Sequence, residues 1–266
     1  APPSERLGHQ SGVAMARRFR VSPLLIGLTV IAYGTSAPEL LVSVNASLNH
    51  AYGIALGNVV GSNILNILLI LGVTAVISPI VVPVLAIGRD SMFAFLSAGL
   101  LIWIASRQNA LGQAEGILFL AVLLAILLVA YGQERDRSVP SVESRFIHVL
   151  PHSVVVDAGF VLVGFALLLF GADVLVKGSI NIARANGLSE TLIGLTLVAA
   201  GTSLPELVTS VVAAMRGHSQ IALGNVIGSN IYNILAILGV ASLLGPVEID
   251  PELARVDMWV MLAATG

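Results

Sequence analysis

The chain contains no cysteine and few charged residues. The absence of cysteine among its 266 residues excludes disulfides, thiolate metal sites and cysteine nucleophiles. Charged side chains make up 11% of the sequence, compared with about 25% in an average soluble domain. Thirteen basic and fifteen acidic residues leave a net charge of −2, so the chain has no basic surface field that would bind nucleic acid.

Apolar residues are abundant instead. They make up 56% of the chain, and the mean hydropathy is +0.95. Several apolar runs reach the roughly 20 residues that a helix needs to cross a bilayer, which predicts an all-α polytopic membrane protein with the lipid bilayer as a partner. The predicted spans are 22–48, 53–78, 84–106, 114–132, 154–176, 188–215, 219–244 and one that begins near residue 252.

One long polar connection, residues 133–153, separates two halves of the chain. If successive connections alternate sides, eight basic residues lie on the side of this connection and four lie on the other. Because basic residues favour the cytoplasmic face, we predict that 133–153 is cytoplasmic in a multi-pass protein of the plasma (inner) membrane.

The two halves contain a duplicated sequence. Residues 25–73 and 192–240 align without a gap at an offset of 167, and 32 of the 49 aligned positions are identical. The aligned Gly, Thr, Ser, Pro, Glu and Asn residues cannot result from apolar composition alone. The chain therefore contains two copies of one unit.

The offset also predicts how large the complete unit is. The copy of the span ending near 132 would end near 299, and the copy of the span starting near 154 would start before residue 1. A complete unit would have five helices, and an odd number inverts the second copy in the membrane. We expect an N-terminal repeat at 1–132 with a partial first helix, the connection at 133–153, and a truncated inverted repeat at 154–266.

The first duplicated motif places a carboxylate inside an apolar span. Glu39 and its copy Glu206 would be costly at membrane depth, so a functional role is the default interpretation. Pro38 removes a backbone hydrogen bond and predicts a break in the helix. Oxygen-bearing and small residues share the helical stripe of each glutamate; they are Ala32, Thr35, Ser36 and Ser43 in the first copy and Ala199, Thr202, Ser203 and Ser210 in the second.

The second motif places polar side chains four residues apart on one helical face. They are Asn58, Ser62 and Asn66 in the first copy and Asn225, Ser229 and Asn233 in the second. Such side chains either line a site or hold membrane helices together, and the spacing leaves both interpretations open. Gly57 and Gly61 (copies Gly224 and Gly228) form small-xxx-small surfaces that predict close helix contact.

The two motifs together supply carboxylate, hydroxyl and amide oxygens, without sulfur or histidine. Hard oxygen ligands of this kind suit Ca²⁺ and Na⁺ and are poorly matched to zinc or copper. The alternative interpretation is a pair of protonated glutamates that brace a kinked helix bundle.

The motifs GTSAPE (34–39), GNVVGSN (57–63), GTSLPE (201–206) and GNVIGSN (224–230) resemble the alpha-repeats of the cation/calcium exchanger superfamily. The chain is most similar to its prokaryotic sodium/calcium exchanger branch. This resemblance implies a ten-helix fold of two inverted five-helix halves, incomplete at both ends here. It also implies antiport of sodium and calcium by alternating access, with Ca²⁺ and Na⁺ as transported ions and no cofactor.

The resemblance further implies a set of ion-binding residues. Glu39 and Glu206 would be the central carboxylates, and Ala32 and Ala199 would contribute carbonyl oxygens for outer sodium sites. The remaining ligands would come from Thr35, Ser36, Ser62, Asn66, Thr202, Ser203, Ser229 and Asn233. Some family members, including potassium-dependent ones, have aspartate where this chain has Asn233, which argues against potassium co-transport.

Other functions are compatible with parts of the pattern. A proton-coupled calcium or cation antiporter could use the same two-glutamate site. An intramembrane enzyme is disfavoured because neither H-E-x-x-H nor G-x-S-x-G occurs, so we expect no enzymatic activity. A structural or assembly module is a third alternative, suggested by the predicted missing helices. The sequence does not predict an oligomeric state.

Overall fold

The structure is a computed structural model that describes residues 27–79, 84–135 and 174–266, together with Leu25, Leu167, Phe170 and Gly171. Most of the connection 133–153 and the arginines near the N-terminus lie outside these residues. The predicted division of the chain at this connection and its predicted sidedness therefore stay predictions.

The described part of the first repeat is helical apart from short connections. Its first span is divided at Ser36, where φ is −80° and ψ is 5°. The helices are α1 (π-helical Gly27–Ile31 continuing as α-helical Ala32–Thr35), α2 (Ala37–Leu48), α3 (Tyr52–Ile77), α4 (Val84–Ala105) and α5 (Gln113–Arg135).

The second repeat follows the same plan. Its matching break lies at Ser203, where φ is −82° and ψ is 5°, and the two segments of that span meet at a bend of 44°. The helices are α6 (residues 174–186), α7 (Glu190–Thr202), α8 (Leu204–Met215), α9 (Ser219–Leu244), α10 (Pro251–Arg255) and α11 (Asp257–Thr265).

The described helices agree with most of the predicted spans. Four of them are long and apolar enough to cross a membrane, and the bent pair α7–α8 makes a fifth such span within the described residues. The span predicted at 154–176 lies mostly outside those residues, and the described helix at its end continues to residue 186. The last span begins at Pro251 but is interrupted at Val256, where φ is −122°.

Among the described residues, four π-helical segments interrupt the helices at positions that match across the repeat. Gly27–Ile31 corresponds to Gly194–Val198, and Asn66–Leu71 corresponds to Asn233–Ile237 at the same offset. Hydrophobic periodicity did not predict them, because a single wide turn leaves the apolar pattern almost unchanged. π turns are common at functional sites. Their repetition beside both motifs therefore indicates that this part of the fold is a candidate functional site.

Glycines let helices of opposite repeats pack closely, as the small-xxx-small pattern predicted. A Cβ at Gly61 in α3 would lie 2.8 Å from the Cβ of Ala199 in α7. A Cβ at Gly228 in α9 would lie 2.7 Å from the Cβ of Ala32 in α1. Real Cβ atoms do not approach so closely. The contact between α3 and α7 therefore requires glycine at position 61, and the contact between α9 and α1 requires glycine at position 228. The duplicated motifs are therefore brought together at the interface between the repeats.

A two-stranded antiparallel sheet joins the repeats a second time. Strand β1 (Ala110–Leu111) pairs with β2 (Val247–Glu248), and Leu111 lies opposite Val247, both fully buried. The amide of Ile249 donates to the carbonyl of Asn109 over 2.8 Å. Strands of two residues show no alternating pattern, so sequence reasoning missed this contact between the α4–α5 and α9–α10 connections.

Candidate functional site

The two glutamates lie in the first turns of α2 and α8, just after the helix breaks, and both are fully buried. Each carboxylate accepts a hydrogen bond from a serine of the other repeat. Ser36 Oγ donates to Glu206 Oε1 over 3.1 Å, and Ser203 Oγ donates to Glu39 Oε1 over 3.1 Å. The two copies of the first motif thus form one site, although 167 residues separate them in the sequence.

The threonines of the first motif also bond across the repeats. Thr35 Oγ1 lies 3.1 Å from Asn225 Oδ1, and Thr202 Oγ1 lies 3.0 Å from Asn58 Oδ1. Asn58 then donates to Ser43 Oγ over 2.9 Å, and its copy makes the equivalent bond to Ser210 over 3.0 Å. In each of these two asparagines, Oδ1 is bonded to a threonine and Nδ2 to a serine, so the asparagines brace the helices that hold the threonines.

Ala32 and Ala199 are buried beside these threonines. The Ala32 carbonyl accepts from the amide of Ser36 over 2.9 Å, and the Ala199 carbonyl accepts from the amide of Ser203 over 3.0 Å. Each carbonyl also lies 3.3 Å from a second donor, Thr35 Oγ1 for Ala32 and Thr202 Oγ1 for Ala199. Their predicted role as ion ligands stays a prediction.

The polar residues predicted from the second motif are all fully buried. Ser229 Oγ donates to Glu206 Oε1 over 3.4 Å, which places α9 against the carboxylate. Asn66 and Asn233 each donate from Nδ2 to an asparagine of the other repeat, at 3.0 Å in both cases. Those acceptors, Asn230 and Asn63, were missed because they lie one residue off the four-residue stripe; their duplication was the available signal.

Five side-chain oxygens at this site have no hydrogen-bond partner among the described residues, although all are buried. They belong to both carboxylates, one hydroxyl and two amides: Glu39 Oε2, Glu206 Oε2, Ser62 Oγ, Asn66 Oδ1 and Asn233 Oδ1. Buried polar atoms are almost always hydrogen-bonded, so a group of five needs another partner. An arrangement of acceptor oxygens with two carboxylates suits a hard cation.

The charge of the site leads to the same requirement. Within the described ranges, the only ion pair joins Arg89 to Asp90. Neither Glu39 nor Glu206 is therefore neutralised by a basic side chain of that part of the protein. Two ionised carboxylates in a buried position are strongly disfavoured without positive charge, and bound cations would supply it.

Comparison with known proteins identifies one matching family. The family model described as sodium/calcium exchanger protein matches residues 6–132 and 156–266. The gap between the two matched segments, residues 133–155, covers the polar connection 133–153.

Individual relatives resemble the chain over most of its length. CaxA of Alkalimonas amylolytica, which is named as an antiporter, is 43% identical over 255 residues, covering 95% of this chain and 80% of the relative. The sodium/calcium exchanger MaX1 of Methanosarcina acetivorans is 35% identical over 275 residues, covering 90% and 79%. A solved structure of the sodium-calcium exchanger NCX_Mj, soaked with 2.5 mM Na⁺ and 0.1 mM Ca²⁺, matches with a TM-score of 0.68 at 35% identity, covering 96% of this chain and 80% of that one.

Proposed function

The chain belongs to the sodium/calcium exchanger protein family, and we propose that it is an antiporter that exchanges sodium for calcium across a membrane. It is a multi-pass membrane protein with the inverted repeat of that family. The observation that carries the proposal is a pair of buried glutamates with neighbouring acceptor oxygens; within the described ranges the glutamates have no basic partner and these oxygens have no hydrogen-bond partner. Both transported ions are hard cations that prefer such oxygens.

The proposed ion site consists of the residues predicted from the two motifs. Glu39 and Glu206 would provide the charge, and the ligand oxygens would come from Ala32, Thr35, Ser36, Ser62, Asn66, Ala199, Thr202, Ser203, Ser229 and Asn233. Two carboxylates neutralise one Ca²⁺, or two or three Na⁺ with little excess charge, so the two ions would compete for these carboxylates, while Na⁺ would also occupy outer sites at the carbonyls of Ala32 and Ala199. Competition for a shared site is the simplest basis of exchange.

Alternating access is the proposed mechanism. The site lies where the two repeats meet, which is where transporters with inverted repeats bind their substrates. In the family's mechanism the first and sixth helices slide across a fixed core, so the site opens to one side at a time. The proposed pathway has no chemical step. The ions are the cargo, and we propose neither a resident cofactor nor an enzymatic activity.

Sodium-driven calcium uptake into proteoliposomes tests the function. With sodium inside and ⁴⁵Ca²⁺ outside, we expect rapid uptake that stops when the sodium gradient is removed. Potassium added inside should not change the rate, because Asn233 replaces the aspartate found in potassium-dependent members. Uptake driven by a pH gradient without sodium would instead support the proton-coupled alternative, and no uptake under either gradient would contradict both.

We also propose that the protein lies in the plasma (inner) membrane with the connection 133–153 in the cytoplasm. The absence of native cysteine makes this simple to test with single introduced cysteines. A membrane-impermeant maleimide added to intact cells should label Asn109→Cys, in the α4–α5 connection, and should leave Ser141→Cys unlabelled until the cells are permeabilised. Labelling in the opposite pattern would invert the proposed orientation.

A further inference from the structure

Four asparagines, two from each repeat, meet where α3 contacts α9. The asparagine cluster consists of Asn63, Asn66, Asn230 and Asn233, and every member is at most 1% exposed. Asn66 and Asn233 belong to the proposed ion site, whereas Asn63 and Asn230 have no assigned role. Their hydrogen bonds show what they do.

Main-chain carbonyls fix the orientation of the two unassigned amides. Asn63 Nδ2 donates to the main-chain oxygen of Asn230 over 3.1 Å, and Asn230 Nδ2 donates to the main-chain oxygen of Asn63 over 3.3 Å. A carbonyl oxygen can only accept a hydrogen bond, so the amide nitrogen must face it in each case. The amide oxygens of Asn63 and Asn230 must then face the opposite way.

Those two oxygens in turn fix the orientation of the ligand amides. Asn63 Oδ1 accepts from Asn233 Nδ2, and Asn230 Oδ1 accepts from Asn66 Nδ2, both over 3.0 Å. The Oδ1 atoms of Asn63 and Asn230 can only accept hydrogen bonds, so the atom of Asn233 or Asn66 that faces them must be the amide nitrogen. The oxygens of Asn66 and Asn233 therefore point away from the cluster, and among the described residues they have no hydrogen-bond partner.

We infer that Asn63 and Asn230 are positioning residues of the cation site, each holding the ligand amide of the other repeat with its oxygen directed to the ion. This inference rests on the proposed function. A side-chain amide attracts a cation through its oxygen and repels it through its NH₂ group, and the two ends have nearly the same shape. Neither positioning residue touches the ion, since both ends of its amide are already bonded within the cluster.

Removing one positioning amide tests the inference. Asn63→Leu keeps a similar volume but removes the acceptor for Asn233, so the Asn233 amide can turn its NH₂ group toward the ion. Loss of a residue that orients a metal ligand typically weakens metal affinity by about 10- to 100-fold. We therefore expect the calcium KM of sodium-driven uptake to rise by about that factor, while the maximal rate changes less.

A rescue experiment separates positioning from a general structural role. A carboxylate has an oxygen at both ends, so Asn233→Asp presents an oxygen to the ion in either orientation. We expect Asn63→Leu to change the calcium KM by less than about twofold in the Asn233→Asp background, because the two residues act as one coupled pair. In the Asn66→Asp background the same substitution should keep its full effect. The mirror variant Asn230→Leu should be rescued by Asn66→Asp and not by Asn233→Asp.

Several results would overturn the inference. One is an unchanged calcium KM in Asn63→Leu, and another is an equal penalty in both aspartate backgrounds. Size-exclusion chromatography checks that each variant is folded, and the smaller Asn63→Ser, which cannot reach Asn233, replaces Asn63→Leu if that variant aggregates. Unaltered protein is assayed in the same vesicles: if it does not exchange calcium, the proposed function fails, whereas a failed rescue with active unaltered protein contradicts the positioning role alone.

Discussion

Glu39→Gln is expected to abolish sodium-driven calcium uptake. The glutamine keeps the length of the side chain and an oxygen that can accept the bond from Ser203, so the main change is the loss of one negative charge. A unit charge pair about 4 Å apart is worth about 4 kcal/mol at an effective dielectric constant near 20, and each 1.4 kcal/mol is about tenfold in affinity. Calcium affinity should therefore fall by about two to three orders of magnitude. The measurement is ⁴⁵Ca²⁺ uptake into proteoliposomes across a range of calcium concentrations.

Glu206→Gln should produce a loss of similar size, because the contacts of the two glutamates match across the repeat. Glu115→Gln is the matched control: this carboxylate lies in the first turn of α5, where it accepts from the amide of Gly112 over 2.9 Å, away from the proposed site. It should transport calcium like the unaltered protein. If Glu39→Gln and Glu115→Gln were equally active, the assignment of the ion site would be wrong.

Gly61→Ala is expected to cost stability and transport together. The added Cβ would lie 2.8 Å from the Cβ of Ala199 and closer still to the main-chain oxygen of Leu195, so α3 and α7 would have to separate. Overpacking of this kind typically costs about 1–3 kcal/mol. The displaced segment of α7 carries Thr202 and Ser203 into the site, and a misplacement of about 1 Å can cost about 100-fold in rate. Thermal unfolding in detergent and ⁴⁵Ca²⁺ uptake measure the two effects.

The same helix provides the control for this variant. A Cβ at Gly72, also in α3, has no described heavy atom within 4 Å, and alanine is intrinsically favoured over glycine in a helix. Gly72→Ala should be at least as stable as the unaltered protein and equally active. Gly228→Ala should reproduce the defect of Gly61→Ala, since it meets the Cβ of Ala32 in the equivalent contact. Equal melting temperatures and uptake for Gly61→Ala and Gly72→Ala would contradict the close-packing argument.

Much of the helical architecture could be predicted from local patterns. Apolar length gave the bounds of α3, α4 and α9 to within a few residues, because crossing a bilayer imposes a fixed length on a helix. Proline two residues after each helix break indicated where α1 and α7 end, since its ring cannot continue the preceding helix. The π-helical segments left no such pattern, because a single wide turn leaves the apolar periodicity almost unchanged, and β1 and β2, at two residues each, are too short to show alternation.

By itself, the sequence determined that this is a membrane protein with a duplicated unit, and it identified the two buried glutamates and their oxygen-bearing neighbours. These features are local or repeat at a fixed offset, so a single chain displays them. Only the tertiary structure decided which of these oxygens are hydrogen-bonded and which have no partner among the described residues. Ser36 bonds to Glu206 rather than to its own Glu39, and Asn63 orients Asn233. Such pairings depend on the direction of each side chain across the interface between the repeats. The spacing of residues along one helix does not determine that direction.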